Sequence, residues 1–179
     1  MPREVELKIL EVNVREMHER LMRLGARKVE QGLVHEVAFD FPDGRIKKRD
    51  ELFRIRKYRK RTEITYKTNS AHDKDFLDHD EYETVVEDFD TICKIMKLLG
   101  LKMVRDREKR RTSYVLGKVK IEIDKYPTIP AYMEIEGSKK DIKDTLRRLG
   151  HSMKDTTNMT STKVLRYYGK NPDYQKFRK

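Results

Sequence analysis

The chain has 179 residues, of which 36% are hydrophobic and 41% charged, and its formal net charge is +11. This length suits one domain with a sizeable core, and the charge favours a polyanionic partner: nucleic acid, an acidic surface or a phosphate-rich small molecule. A single cysteine excludes a disulfide framework and a thiolate metal cage. No apolar run approaches the roughly 20 residues of a membrane span, and the first residues lack a signal-peptide pattern. We therefore expect a cytoplasmic protein with no membrane partner.

Three helices are predicted from segments that end in a similar five-residue phrase. The phrase begins with Leu or Met and closes with Leu-Gly. The phrase occurs at residues 21–25, 96–100 and 146–150. Glycine just past the last apolar turn is typical of a helix C-terminus. Eight strands are predicted around these helices from alternating apolar and polar residues; they cover residues 4–9, 34–41, 52–57, 63–67, 81–86, 109–116, 118–125 and 131–136.

The two halves of the chain resemble each other. When Gly25 is aligned with Gly100, Glu4 and Glu6 fall near Glu81 and Glu83. The pattern therefore predicts a duplicated strand–helix–three-strand unit. Residues 69–80 are polar and poorly patterned, which indicates a loop joining the halves. We expect one domain over residues 1–170 and a basic, flexible tail over residues 171–179.

Each predicted strand carries charged side chains on one of its two sides, because successive side chains point to opposite faces. A single such row is usually the solvated face of an antiparallel sheet. Here nearly every polar position is fully charged, and the signs segregate, with carboxylates at both ends of the repeat and Arg and Lys in the middle. If the strands close into a barrel, these rows line its interior. Such charges are costly unless they are paired or bind an ionic ligand.

A polyphosphate with a divalent metal would satisfy both signs. Arg and Lys neutralise phosphate oxygens, and carboxylates hold Mg²⁺ or Mn²⁺. The sequence lacks a Walker A loop, a glycine-rich dinucleotide turn, an HExxH motif and a serine nucleophile elbow. His72 and His79 fall in the predicted loop, where we expect solvated side chains rather than ligands.

The motif Glu4-x-Glu6-x-Lys8 resembles the N-terminal motif of the CYTH superfamily, the triphosphate tunnel metalloenzymes. This superfamily includes class IV adenylyl cyclases and thiamine triphosphatases. Further matching motifs follow in the family's order, at residues 53–57, 65–67, 109–111, 121–124 and 133–137. The resemblance implies an α+β fold, an eight-stranded antiparallel closed β-barrel (tunnel) with helices packed outside. Residues 126–130 depart from the glycine-rich link expected before the last strand.

By resemblance, one side of the tunnel binds metal and the other binds triphosphate. The metal side comprises Glu4, Glu6, Asp124, Glu134 and Glu136, to which the charge pattern adds Glu122. The triphosphate side comprises Lys8, Arg54, Arg56, Lys67, Lys109, Arg111 and Lys163. Lys8, Arg54, Lys67 and Arg111 are the predicted catalytic residues, and Mg²⁺ or Mn²⁺ is the predicted cofactor.

Chain length and motifs favour a class IV adenylyl cyclase-like enzyme that converts ATP to cAMP and pyrophosphate. The alternative enzyme is a triphosphatase acting on inorganic triphosphate, thiamine triphosphate or a nucleoside triphosphate. A non-catalytic RNA or polyphosphate binder, using the basic run 45–61, is a third hypothesis. A binder has no need for repeated carboxylate pairs, so we do not expect a nucleic-acid partner. We expect a monomer or a homodimer.

Overall fold

The computed structural model of the protein describes residues 3–72 and 75–177. The strands of this part of the chain are β1 (Arg3–Ile9), β2 (Arg27–Asp40), β3 (Leu52–Tyr58), β4 (Arg61–His72), β5 (Leu77–Val86), β6 (Lys102–Leu116), β7 (Val119–Lys125), β8 (Tyr132–Glu136), β9 (Thr156–Thr157) and β10 (Tyr174–Gln175). Its helices are α1 (Val14–Arg23), α2 (Arg45–Lys48), α3 (Phe89–Leu98), α4 (Lys139–Arg148) and α5 (Ser161–Tyr167), with a short 3-10 helix at Met153–Asp155.

Eight of these strands form one closed antiparallel ring. Neighbours pair in the order β6-β2-β3-β4-β5-β1-β8-β7, and β7 pairs back to β6. The ring consists of two strand–helix–three-strand units, β1-α1-β2-β3-β4 and β5-α3-β6-β7-β8, with α2 inserted after β2. The predicted α+β fold, with an eight-stranded closed β-barrel and helices outside, is confirmed. The ring places the charged rows inside.

The three predicted helices begin at capping residues and pack their apolar faces on the ring. The side chains of Asn13, Asp88 and Ser138 accept backbone hydrogen bonds at the N-termini of α1, α3 and α4. Gly25 and Gly100 follow α1 and α3 with positive φ, as the Leu-Gly phrase predicts. Among the described residues, no helix is both long enough and apolar enough to cross a membrane.

The apolar side of the ring packs against the helices in separate clusters. Helices α1 and α4 cover the largest cluster, which includes Leu7, Ile121 and Met133. Helix α3 covers a second cluster with Ile55 and the buried Cys93. Because the apolar faces point outward to the helices, the polar faces of the same strands must point into the ring.

The prediction of a polar loop over residues 69–80 is wrong. Strand β4 continues to His72, and β5 begins at Leu77 and pairs with it. Phe76 and Leu77 are buried at 2% and 4% exposure, and this apolar pair anchors the start of β5. Residues 73 and 74 of the predicted loop lie outside the described residues.

The tail is attached to the ring rather than free over residues 171–177. Strand β10 pairs in parallel with β6, and Gln175 is 3% exposed. The Gln175 amide donates to the carbonyl of Asn171 at 2.7 Å, and the Thr128 hydroxyl donates to Gln175 Oε1 at 2.7 Å. A buried amide with both hydrogen-bonding ends satisfied holds this segment against β6. The flexibility of the tail stays a prediction.

Candidate functional site

The inner faces of the ring strands line a cavity of about 1070 Å³, here called the tunnel. All eight ring strands contribute side chains to its wall, and α5 contributes Lys163. Every predicted site residue except Asp124 lines the tunnel. The structure therefore brings these residues of the predicted metal side and the predicted triphosphate side into one cavity.

Lys8 is held between two of the predicted metal ligands. Its Nζ lies 2.5 Å from Glu6 Oε1 and 3.2 Å from Glu134 Oε1, and its side chain is 1% exposed. Burial alone would lower the pKa of this ammonium, but the Glu6 and Glu134 carboxylates outweigh burial and raise it. Lys8 is therefore a fixed positive charge on the acidic side of the tunnel.

Two acidic clusters meet at Glu136. Carboxylate oxygens of Glu4, Glu6 and Glu136 lie within 4.8 Å of one another, and so do those of Glu122, Glu134 and Glu136. Burial raises the pKa of Glu136 to about 8, and the charges of Glu122, Glu4 and Glu6 add to the rise, against the opposing pull of Lys120. A divalent cation would offset the excess negative charge of these carboxylates, and carboxylate oxygens are the donors that hard divalent cations prefer. These residues fit the metal that the resemblance implies.

This raised pKa predicts how Glu136→Gln changes stability in metal-free buffer. The pKa of the Glu136 carboxyl is 4.5 in the unfolded chain and about 8 in the folded protein. The folded state therefore binds the proton more tightly, and stability falls as pH rises from 4.5 to 8. Above pH 8 we expect Glu136→Gln to raise the free energy of unfolding by a few kcal/mol, on the order set by about 1.4 kcal/mol per pKa unit.

Denaturant unfolding in EDTA at pH 5 and at pH 9 measures this effect. At pH 5 the carboxyl of Glu136 is protonated in the fold, so the variant and the wild type should differ little. A variant that is less stable than the wild type at pH 9 would contradict the assignment of excess negative charge to this cluster.

Asp124 lies outside these acidic clusters. It is 0% exposed and accepts from Lys109 Nζ at 2.7 Å, and Arg111 donates to both of its oxygens at 2.7 Å and 2.6 Å. Arg111 also contacts Glu122 and lies 3.0 Å from Glu134. Asp124 thus holds Lys109 and Arg111 in place, and it does not line the tunnel. Its role as a metal ligand stays a prediction.

Lys67 and His79 form a further cluster on β4 and β5. Lys67 Nζ lies 2.6 Å from Glu4 Oε2 and 2.7 Å from Glu81 Oε2. His79 is 3% exposed and its Nε2 lies 2.5 Å from Glu4 Oε2, so the prediction of a solvated His79 is wrong. The sequence did contain a signal that His79 faces the tunnel. It precedes Glu81 by two residues, and residues two apart on a strand share a face. The side chain of His72 lies outside the described residues.

Glu36 and two arginines of β6 are site residues that the sequence reasoning missed. Glu36 lies 3.7 Å from Arg54 and 3.8 Å from Arg105. Burial would raise its carboxyl pKa, but the charges of Arg54, Arg107 and Arg105 outweigh burial and lower it well below its usual range. Arg105 and Arg107 are the two arginines of β6, and they extend the alternating row of Lys109 and Arg111 toward the start of the strand. A longer predicted strand would therefore have included them.

Arg107 connects the ring to helix α5. It is 0% exposed and donates to the hydroxyls of Thr162 at 3.0 Å and Ser161 at 3.4 Å. Lys163 follows these residues on α5 and lines the tunnel. Arg56 lies at 3.0 Å from both Glu63 and Glu83. The predicted triphosphate side is therefore fixed by ion pairs and by a buried arginine.

Comparisons with known proteins identify the family. The family model of the CYTH domain matches residues 2–168. The chain belongs to the CYTH domain family. The chain is 28% identical over 141 residues to a protein of Methanocaldococcus jannaschii named as a candidate adenylate cyclase, an alignment that covers 79% of this chain and 80% of that one.

Solved structures share the fold. A protein from Pyrococcus horikoshii is 28% identical, with a TM-score of 0.74 and coverage of 88% of this chain and 96% of that chain. A candidate adenylyl cyclase from Hippeastrum, described as revealing a dominant triphosphatase activity, is 15% identical with a TM-score of 0.68. That alignment covers 94% of this chain and 97% of the Hippeastrum chain, and it shows a common fold.

Proposed function

We propose that this protein is a metal-dependent enzyme that acts on a triphosphate held inside the tunnel. One observation carries the proposal: carboxylate clusters around Glu136 line the same cavity as a set of arginine and lysine side chains. A metal–triphosphate complex is the ligand that satisfies both sets, since carboxylates bind the cation and guanidinium groups bind phosphate oxygens. Membership of the CYTH domain family supports the same assignment.

Each set has a separate task in this proposal. Glu4, Glu6 and Glu136, with Glu122 and Glu134 beside them, would hold Mg²⁺ or Mn²⁺, and a bound ion supplies Lewis-acid activation of a phosphoryl group. Arg54, Arg56 and Arg111 orient phosphate oxygens and stabilise negative charge on the leaving group. Lys8, Lys67, Lys109 and Lys163 supply further positive charge along the tunnel.

The leading reaction is that of a class IV adenylyl cyclase. The ribose 3′-hydroxyl of ATP attacks the α-phosphorus, the bond from the α-phosphorus to the bridging oxygen breaks, and pyrophosphate leaves. The name of the Methanocaldococcus jannaschii relative supports this choice. The tunnel, at about 1070 Å³, is slightly larger than the roughly 300–1,000 Å³ of ordinary small-molecule sites, which leaves room for a whole nucleotide.

Product analysis with ATP and Mn²⁺ tests the reaction. A cyclase releases cAMP and pyrophosphate in equal amounts, and both can be quantified by chromatography. Release of orthophosphate without cAMP would contradict cyclisation. It would favour the second candidate, a triphosphatase in which water attacks the terminal phosphorus, which the activity described for the Hippeastrum protein also supports. Inorganic triphosphate and thiamine triphosphate should be assayed in parallel.

The third hypothesis, a non-catalytic polyphosphate or RNA binder, has a weaker basis. Much of the basic run 45–61 lies in α2 and β3, and its Arg54 and Arg56 face the tunnel and pair with carboxylates. A binder would retain triphosphate without turning it over at any metal concentration. The cytoplasmic location and the monomeric or homodimeric state stay predictions.

A further inference from the structure

The ammonium group of Lys67 is surrounded by three acceptors. Its Nζ lies 2.6 Å from Glu4 Oε2, 2.7 Å from Glu81 Oε2 and 2.6 Å from His79 Nε2. His79 Nε2 also lies 2.5 Å from Glu4 Oε2, so the imidazole either accepts from Lys67 or, when Nε2 is protonated, donates to Glu4. In both cases the Lys67 ammonium lies against all three groups, at 2.6 to 2.7 Å.

The same three acceptors are a set of potential metal ligands. Ligand atoms of Glu4, His79 and Glu81 lie within 4.8 Å of one another. Two carboxylates and one imidazole suit Mn²⁺, Co²⁺ or Zn²⁺ better than Mg²⁺, because imidazole nitrogen is a softer donor than oxygen. The Lys67 ammonium thus lies where these ligands would otherwise place a divalent ion.

We propose that Lys67 is a built-in cation that occupies a second cation position of the tunnel, with His79 as a metal ligand that is masked while Lys67 is present. This inference rests on the proposed function, in which the divalent ion binds at the carboxylate clusters around Glu136. The ammonium cannot dissociate from the chain, so this position stays positive when the metal concentration is low.

The arrangement has a consequence for metal selection. Glu4 belongs both to the acceptor set of Lys67 and to the cluster with Glu6 and Glu136. Because the imidazole-containing position is filled, a metal that enters the wild-type tunnel meets the carboxylate clusters around Glu136, which offer oxygen donors. The masked histidine therefore favours hard ions such as Mg²⁺ and Mn²⁺ over ions that gain most from nitrogen ligands.

Pulsed EPR of bound Mn²⁺ tests this proposal without any activity measurement. Wild-type protein should show no ¹⁴N coupling from a coordinated imidazole. Lys67→Ala should show that coupling and should bind one more equivalent of Mn²⁺ than the wild type by titration. The double variant Lys67→Ala/His79→Gln should lose the ¹⁴N coupling and the added equivalent.

A matched control removes a lysine elsewhere on the tunnel wall. Lys47 lies on α2, is exposed and lines the cavity, but it is not part of the group formed by Glu4, His79 and Glu81. The substitution Lys47→Ala removes the same charge as Lys67→Ala. This control should keep the wild-type stoichiometry and spectrum. If it gained an ion as Lys67→Ala does, the effect would be one of net charge, and the proposal would fail.

Other outcomes of the same measurements also decide whether the proposal for Lys67 holds. Imidazole coupling in the wild type, or no added Mn²⁺ in a folded Lys67→Ala protein, overturns the proposal. If Lys67→Ala does not fold, Lys67→Met retains the apolar stem of the side chain, and the wild-type spectrum still decides whether His79 binds metal. A wild type that binds no Mn²⁺ would contradict the metal dependence of the proposed function, whereas an imidazole-bound ion in Lys67→Ala would still support the role of Lys67.

Discussion

Arg111→Met is expected to lower the free energy of unfolding by about 3–5 kcal/mol, the cost of removing one partner from a buried ion pair. Arg111 donates two hydrogen bonds to Asp124 and contacts Glu122 and Glu134, and all three carboxylates are buried. Without the guanidinium, these carboxylates keep one lysine contact each, to Lys109, Lys120 and Lys8. Denaturant unfolding at pH 7 in metal-free buffer measures the loss.

Two further variants separate charge from packing at this position. Arg111→Lys keeps the charge but loses the bidentate geometry, so its loss should be smaller. Adding Asp124→Asn to Arg111→Met removes one of the three negative charges that lose the guanidinium and should restore part of the stability. An Arg111→Met protein as stable as the wild type would show that the carboxylates do not depend on this guanidinium.

The double substitution Glu4→Gln/Glu6→Gln is expected to lower metal-dependent turnover at least roughly 100-fold, a loss seen when even one preorganised polar group is removed from an active site. It removes two of the three carboxylates in the cluster with Glu136. It also removes one of the two carboxylate partners of Lys67 and of Lys8, which keep Glu81 and Glu134 respectively. Binding of inorganic triphosphate without metal should therefore become tighter, which calorimetry can measure.

Glu19→Gln is the matched control for this experiment. Glu19 is exposed on α1 and pairs with the exposed Arg15 one turn away on the helix surface, so its loss should change neither turnover nor triphosphate affinity. Full turnover by Glu4→Gln/Glu6→Gln at saturating metal would contradict the assignment of these carboxylates.

Alternation along the strands predicted much of the fold and of the site. The rows Glu4-Glu6-Lys8 and Lys109-Arg111 point into the tunnel because the opposite rows, such as Val5 and Leu7, pack in the core. Two-residue alternation says which side chains share a face, and the duplicated pattern indicated how many strands there are. The closure of the ring through β6 and β7 came from the family resemblance and could not be deduced from any single strand.

The pairing of charges within the tunnel could not be predicted from the sequence. Whether a carboxylate such as Asp124 meets a metal or an arginine depends on which strands lie side by side, and only the register of β6 against β7 places it opposite Arg111. His79 was misassigned because the polar stretch around it hid the start of β5. Helix α5 was missed because seven residues are too few for a clear periodic pattern.

The position of Mn²⁺ and a non-hydrolysable triphosphate analogue in a crystal tests the central claim most directly. Anomalous scattering locates the ion independently of the phosphates. We predict an Mn²⁺ peak among the carboxylates of Glu4, Glu6 and Glu136, with the triphosphate running along Arg54, Arg56 and Arg111 inside the tunnel. A triphosphate bound on the outer surface of the ring, with no ion among those carboxylates, would contradict the proposed function.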